Sequence, residues 1–198
     1  MKKLIMEMEE YAQEFNVPII EKEAIAFIMK YIKQNNIKNI LELGSAIGYS
    51  AILMASVDPE VKVTTIERDE VRYMECLKNV KKCNFDKKIS VVYQDALEMN
   101  MSNEIEYDLI FIDAAKGQYK KFFEKYKYFL SSKGVIITDN LNFHGLVGKK
   151  STIESKNLKG LVDKIETYIE FLKENEEFDT EFYNVGDGIS ISKRKNEE

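Results

Sequence analysis

Apolar, strand-like runs alternate with helical segments along most of this chain, and this alternation limits the folds open to it. Short β-branched or aliphatic runs are each followed by a segment with apolar residues at helical spacing. Such alternation predicts a largely parallel sheet covered by helices. The predicted strands span 37–43, 61–66, 89–93, 107–112 and 135–138, and the predicted helices span 19–34, 49–56, 69–82, 118–130 and 158–173.

The end of the chain departs from this pattern. Residues 178–185 and 189–192 are strand-like and flank Gly186-Asp187-Gly188, which is typical of a hairpin. A terminal hairpin would add antiparallel strands at the sheet edge. We therefore expect an α/β fold with a Rossmann-like, seven-stranded mixed sheet and helices on both faces. The 198 residues suit one domain, 1–198.

Composition and charge exclude several classes of protein. Lys+Arg 29 against Asp+Glu 34 gives a net charge of −5, which argues against binding nucleic acid through bulk charge but leaves local basic patches open. The sequence has no apolar run of about 18 residues, which argues against a membrane-spanning helix. The acidic N-terminus argues against a signal peptide. Cys76 and Cys83 match neither a metal nor a disulfide spacing, so we expect free thiols and a cytoplasmic protein.

A glycine turn, Gly44 to Gly48, follows the first predicted strand. Ligands bind at the carboxyl ends of parallel strands, and glycines here leave room above the next helix. Ala46 stands where a dinucleotide fingerprint has its second glycine, which disfavours a pyrophosphate. Glu42, beside the turn, suits a cationic or amino-bearing ligand. An ordinary α/β turn without a ligand is the alternative.

Acids also follow the second and third strands. Glu67 is placed to accept hydrogen bonds from the hydroxyls of a ribose. Asp95 could accept one from an adenine amino group, while Ala96 leaves space for the ring. The alternatives are a surface glutamate at 67 and a helix N-cap at 95.

Strands four and five end in Asp113 and in Asp139-Asn140. In a sheet ordered 3-2-1-4-5 these ends are neighbours, so three oxygen ligands would meet at one point. Such a set selects a hard cation, Mg²⁺ or Ca²⁺. Lys116 could reach the same pocket and, with a lowered pKa, act as a general base. The alternatives are that the acids cap helices or begin turns and that Lys116 is a solvated lysine at the start of a helix.

The loop that follows carries His144, the single histidine, which we interpret as a rim residue. The lysines of this loop and its continuation are a candidate phosphate-facing patch: Lys149, Lys150, Lys156 and Lys159. A solvated loop is the alternative.

Together, Glu42 to Ser50, Glu67, Asp95-Ala96, Asp113 to Lys116 and Asp139-Asn140 resemble the metal-dependent class I S-adenosylmethionine O-methyltransferases, which include catechol and caffeoyl-CoA O-methyltransferases. The similarity extends from about Val17 to the hairpin turn. Within the family, 113–119 and 139–147 are similar to the bacterial tRNA 5-hydroxyuridine methyltransferases, although His144 stands where those enzymes are expected to have Lys or Arg.

The resemblance implies residue roles. Residues 1–36 would form helices covering the cofactor or substrate, and Lys116 and Asp113 would be catalytic. The metal ligands would be Asp113, Asp139 and Asn140, and S-adenosylmethionine would contact Val17, Glu42, Gly44, Ser45, Ser50, Glu67, Asp95, Ala96 and Asp113.

The resemblance also implies a homodimer and a substrate with two adjacent oxygens. That substrate would be wobble 5-hydroxyuridine in tRNA or, alternatively, a small catechol-like molecule. A nicotinamide-dependent oxidoreductase and a non-catalytic ligand-binding subunit are the alternatives from other classes.

Overall fold

The β-branched and aliphatic runs of the sequence form a seven-stranded sheet in the order β3-β2-β1-β4-β5-β7-β6. The computed structural model describes residues 1–102, 105–149, 151 and 153–195. Strands β1 to β5 pair in parallel, and β7 pairs antiparallel with both β5 and β6. The predicted mixed sheet with its closing hairpin is thereby confirmed. The strands are β1 Asn39–Leu43, β2 Lys62–Glu67, β3 Ile89–Tyr93, β4 Tyr107–Ile112, β5 Leu130–Thr138, β6 Phe178–Tyr183 and β7 Ile189–Arg194.

Helices cover both faces of the sheet. They are α1 Lys2–Glu14, α2 Lys22–Gln34, α3 Tyr49–Ala55, α4 Glu70–Lys82, α5 Tyr119–Tyr126 and α6 Lys156–Lys173, with 3₁₀ turns at Lys116–Gln118 and Lys127–Phe129. Residues from α1 to α4 pack with Ile40 on one face, and residues from α5 and α6 pack with Leu41 on the other. Adjacent strand residues thus enter opposite cores, as the two-residue period of a strand requires.

Several predicted boundaries differ from the structure by one to five residues, and two of these differences have a clear physical reason. The helix predicted from residue 19 begins at Lys22, because Ile20 is buried from an extended segment that ends at Glu21. Strand β5 begins at Leu130, five residues before the predicted start, because it pairs first with Tyr107. The polar residues 131–133 lie within this strand and hid its beginning from the apolar pattern.

The register of the central strands brings their carboxyl ends to one edge. Leu43 pairs with Ile66 on one side and with Ile112 on the other, and Ile112 pairs with Thr138. The residues that follow these strands therefore share this edge of the sheet.

Both cysteines are free thiols, Cys76 buried and Cys83 half-buried. Within the described part of the chain, none of the helices combines the length and apolarity needed to span a bilayer.

Candidate active site

The glycine turn after β1 is shaped by close packing. Gly44 has φ +97°, and a β-carbon there would lie 2.6 Å from the carbonyl oxygen of Asp113. Gly48 has φ +84°, and a β-carbon there would lie 2.7 Å from Cys76 Sγ. Only glycine combines these backbone angles with so little space. The turn therefore holds the end of β1 directly against the end of β4.

Glu42 is fully buried beneath this turn. The hydroxyls of Ser50 and Thr65 donate hydrogen bonds to its two carboxylate oxygens. Burial raises the pKa of Glu42 to about 7, helped by the charge of Glu67 and opposed by the two hydrogen bonds. A buried acid of this kind is stabilised as a carboxylate by a nearby ammonium group, so Glu42 fits the amino group of an amino-acid ligand.

Ser45 supplies a second buried polar group in the turn. Its hydroxyl is buried beside the Cys76 thiol and makes no hydrogen bond to a nitrogen or oxygen atom in the described part of the chain. A hydroxyl can both donate and accept hydrogen bonds, so this one retains the capacity to bind a polar group of a ligand.

Glu67, at the end of β2, joins this strand to the glycine turn. Its Oε2 accepts a hydrogen bond of 2.9 Å from the backbone N–H of Ala46, and its Oε1 accepts from Arg68 and Asp69 at 2.9 and 2.8 Å. Each carboxylate oxygen can accept two hydrogen bonds. Oε2 therefore retains the capacity to accept a ribose hydroxyl.

Asp95 and Ala96 are fixed at the end of β3. Asp95 accepts from the backbone N–H of Leu97 at 2.8 Å and from the Arg68 guanidinium at 3.1 Å, and these contacts lower its pKa. The residues after Asp95 form a turn, so the helix-cap alternative was wrong. The Ala96 carbonyl accepts from Lys125 Nζ at 3.0 Å and from the Tyr126 hydroxyl at 2.6 Å.

Asp113 and Asp139 leave the adjacent strands β4 and β5. Burial raises the pKa of Asp113 well above its usual range, and the charge of Asp139 raises it further. Burial also raises the pKa of Asp139, to about 6. The backbone N–H of Asn140 donates a hydrogen bond of 2.7 Å to Asp139 Oδ1, and this bond opposes the increase. The charge of Lys116 partly offsets both shifts, and a bound cation would favour the ionised form of each acid further.

The donor set at this point consists of oxygen atoms. No group of three His, Cys, Asp or Glu side chains suited to a metal occurs among the described residues. The third predicted ligand is the side-chain amide oxygen of Asn140. This residue follows Asp139 in the chain, and its backbone is in the left-handed conformation, with φ 62°. Two carboxylates and an amide oxygen fit a hard cation that keeps water or substrate oxygens at its other positions.

Asp113, Asp139 and Asn140 together form the acid cluster, and Lys116 lies against it. Its Nζ donates a hydrogen bond to Asn140 Oδ1 and lies 5.9 Å from the centre of the Phe143 ring. Burial lowers the pKa of Lys116, while Asp113, Asp139 and other nearby acids oppose the shift. A lysine with a lowered pKa beside the acid cluster can accept a proton from a bound hydroxyl.

The remaining predicted residues lie on other segments of the chain. Val17 is in the link between α1 and α2, where its N–H donates to the Ala12 carbonyl at 2.9 Å. Lys149 lines a cavity of about 430 Å³ together with His144. Lys156 and Lys159 lie at the start of α6, and Lys150 falls outside the described residues.

Two residues of the site were not predicted. The Thr65 hydroxyl donates a hydrogen bond to Glu42. This contact could have been found from the register of the sheet, since Thr65 on β2 is the pairing partner of Glu42 on β1. Asp187 is buried in the hairpin turn and accepts a hydrogen bond from the backbone of His144. In the sequence, its signal was an acid between two glycines. It was missed because a residue in such a turn is ordinarily expected to be exposed.

Comparison with known proteins points to one family. The family model described as O-methyltransferase matches residues 1–195. A Staphylococcus aureus structure, provisionally called a caffeoyl-CoA O-methyltransferase, is 39% identical with a TM-score of 0.92, over 96% of this chain and 92% of that one. Caffeoyl-CoA O-methyltransferase of Populus kitakamiensis is 28% identical over 186 residues, which are 90% of this chain and 78% of the relative.

A structure with lower sequence identity shares the fold. The Bacillus cereus O-methyltransferase in complex with SAH is 22% identical with a TM-score of 0.82, over 98% of this chain and 91% of that one.

Proposed function

This chain belongs to the O-methyltransferase family, and we propose that it methylates the 5-hydroxyl of 5-hydroxyuridine at the wobble position of a tRNA anticodon, giving 5-methoxyuridine. The methyl donor of this O-methyltransferase is S-adenosylmethionine. The observation that carries the proposal is the place of Lys116, whose amine lies at the acid cluster while the glycine turn contacts the same cluster through Asp113.

The chemistry follows from that arrangement. S-adenosylmethionine, when bound, supplies an electrophilic methyl group, and a divalent cation lowers the pKa of a hydroxyl. Lys116 Nζ takes the proton that the acceptor hydroxyl loses as its oxygen bonds to the methyl carbon and the carbon–sulfur bond breaks. Burial of Lys116 supports this role, because it favours the neutral amine.

The cofactor would be held by the residues at the ends of β1, β2 and β3. We assign the methionine part to Glu42, Gly44, Ser45, Ser50 and Asp113, the ribose to Glu67, and the adenine to Asp95 and Ala96, with Val17 closing the site. The buried Glu42 carboxylate and the buried Ser45 hydroxyl, which makes no hydrogen bond to a nitrogen or oxygen atom in the described part of the chain, support the first assignment. The remaining acceptor capacity of Glu67 supports the second.

A divalent cation, Mg²⁺ or another hard ion, would be held by Asp113, Asp139 and Asn140. The burial of the two acids supports this assignment, because burial raises the pKa of each and a bound cation would favour their ionised forms. With 5-hydroxyuridine, the 5-hydroxyl and the neighbouring O4 carbonyl offer the two adjacent oxygens that such a site accepts.

A tRNA substrate also needs contacts to phosphates. Lys149 is exposed at the cavity, Lys156 is exposed on the first turn of α6, and Lys164 packs against Gly117, next to Lys116. The first turn of α6 contains no acid. These lysines support a phosphate-binding surface beside the site, and a second subunit of a homodimer would extend it.

The deciding experiment is nucleoside mass spectrometry on tRNA that bears 5-hydroxyuridine, incubated with the protein, S-adenosylmethionine and Mg²⁺. We expect conversion to 5-methoxyuridine that is lost with excess chelator. Asp139→Asn should abolish conversion, whereas the matched control Asp179→Asn, at an exposed acid of β6, should retain it. No conversion of the tRNA would refute the substrate, and full conversion in chelator would refute the metal.

The second candidate substrate is a small catechol-like molecule. The named caffeoyl-CoA relatives favour it, because a vicinal diol offers the same two oxygens. A catechol added in the same buffer distinguishes the two. If the catechol is methylated while the 5-hydroxyuridine tRNA is not, the substrate of the enzyme belongs to this second class.

A further inference from the structure

The turn between β6 and β7 is hydrogen-bonded to the segment that leaves β5. The carbonyl of Asp187 accepts from the N–H of Asn142 at 2.7 Å, and the carbonyl of Gly188 accepts from the N–H of Leu141 at 3.0 Å. The contact is close, because a β-carbon on Gly188 would lie 2.7 Å from Asn142 Cγ. The turn therefore supports the chain directly after the acid cluster.

The Asp187 side chain extends this support. Its Oδ1 accepts a hydrogen bond of 2.5 Å from the backbone N–H of His144, and the residue is 5% exposed. Its Oδ2 has no hydrogen-bond partner among the described residues and lies 3.7 Å from His144 Nδ1. One carboxylate oxygen thus holds the backbone of the segment from within the protein.

The supported segment has an unfavourable backbone conformation. Asn140, Phe143 and His144 have φ values of 62°, 44° and 55°. Residues with side chains adopt the left-handed region at a cost in free energy. Such conformations persist where surrounding contacts hold them, and the contacts to Asp187 are of that kind.

Lys116 depends on the same segment. Its Nζ donates to Asn140 Oδ1 and lies over the Phe143 ring. We propose that Asp187 is a positioning residue: by holding residues 140–144, its carboxylate oxygen sets where the Lys116 amine lies relative to the acceptor hydroxyl. The inference rests on the proposed role of Lys116 but not on which acceptor is methylated.

Three variants test this proposal. Asp187→Ala removes the acceptor for the His144 N–H, Asp187→Asn keeps an acceptor oxygen and removes the charge, and Asp179→Asn is the matched control on the same hairpin. Steady-state kinetics with 5-hydroxyuridine tRNA and with a catechol give kcat and KM, and calorimetry gives the affinity for S-adenosylhomocysteine. Amide hydrogen exchange over residues 141–144 reports the support without any acceptor.

We expect Asp187→Ala to lower kcat by about 10- to 100-fold, the range that small misplacements of a reacting group produce. Cofactor affinity should stay within about twofold, and exchange at 141–144 should accelerate. Asp187→Asn should restore both kcat and protection, and Asp179→Asn should behave as the wild type.

Wild-type kcat and protection in Asp187→Ala would overturn the proposal. An equal loss in Asp187→Asn would also do so, because the charge would then matter rather than the acceptor. A parallel loss of cofactor binding would reveal general damage and likewise count against it. If the wild type methylates neither acceptor, the proposed function fails. The role of Asp187 in holding residues 140–144 is tested separately, because unchanged amide exchange in Asp187→Ala would overturn it without any measurement of activity.

Discussion

Gly44 and Asp113 meet at the centre of the site: a β-carbon on Gly44 would lie 2.6 Å from the carbonyl oxygen of Asp113. This contact joins the turn assigned to the cofactor with the strand end assigned to the metal. A shift of either backbone would therefore move both parts of the site.

Gly44→Ala is expected to damage stability and cofactor binding together. The new methyl group meets backbone rather than a movable side chain, and φ +97° is unfavourable for alanine, so we expect a cost on the order of 1–3 kcal/mol or more. Thermal unfolding and S-adenosylhomocysteine titration measure the two effects.

Gly160→Ala is the matched control, because a β-carbon there meets no atom within 4 Å and the position is helical. It should be neutral or stabilising by about 0.5–1 kcal/mol. A Gly44→Ala protein with unchanged melting and affinity would contradict the packing argument.

Glu42 predicts a pH dependence of the ligand-free protein. Its pKa is about 7 in the folded state against 4.5 ordinarily. Between these values the folded state binds more protons than the unfolded state, so this group makes the free energy of unfolding fall as pH rises from about 4.5 to 7. The full contribution is on the order of 3 kcal/mol.

Glu42→Gln should remove this contribution and make the pH profile of unfolding by urea less steep. The exposed Glu14→Gln control should leave the wild-type profile unchanged. The Glu42 variant should also bind S-adenosylmethionine more weakly, because the amino group loses its carboxylate. An unaltered profile in Glu42→Gln would show that this acid does not titrate as its burial requires.

Asp139 predicts the effect of metal on stability. Mg²⁺ should raise the melting temperature of the wild-type protein and have no effect on Asp139→Asn, which removes one carboxylate from the cluster. Without metal, the variant should be at least as stable as the wild type near neutral pH, because it no longer buries an acid whose pKa is raised. An equal Mg²⁺ response in both proteins would contradict the assigned site.

The sequence predicts the positions of most residues of the candidate site but only part of what supports them. Asp113, Asp139 and Asn140 could be placed because the ends of parallel strands meet at one edge, and the register of β4 and β5 does bring them there. Glu67 and Asp95 followed from the same rule. Each of these positions required only the strand order.

Asp187 could not be predicted in this way. Its role arises from a hairpin turn packing against a distant loop, more than 40 residues away in the chain. The start of β5 was missed for a related reason, since pairing with Tyr107 overrides the polar character of residues 131–133. Tertiary contacts of this kind leave no periodic signal.

Lys116 predicts the pH dependence of turnover. Burial lowers its pKa from 10.5, so kcat should rise with pH as the neutral amine becomes populated. Lys116→Ala should lose about 10²- to 10⁴-fold in kcat, the usual contribution of a general base, and should lose the pH dependence due to this amine. Cofactor affinity should remain near the wild-type value.

Two further variants make this experiment specific. Lys116→Arg should not rescue turnover, because a guanidinium stays charged and cannot accept the proton. Lys133→Ala, at an exposed lysine of β5 away from its carboxyl end, should retain wild-type kinetics. If Lys116→Arg were fully active with the wild-type pH profile, Lys116 would act through its charge, and the proton would have to leave by another route.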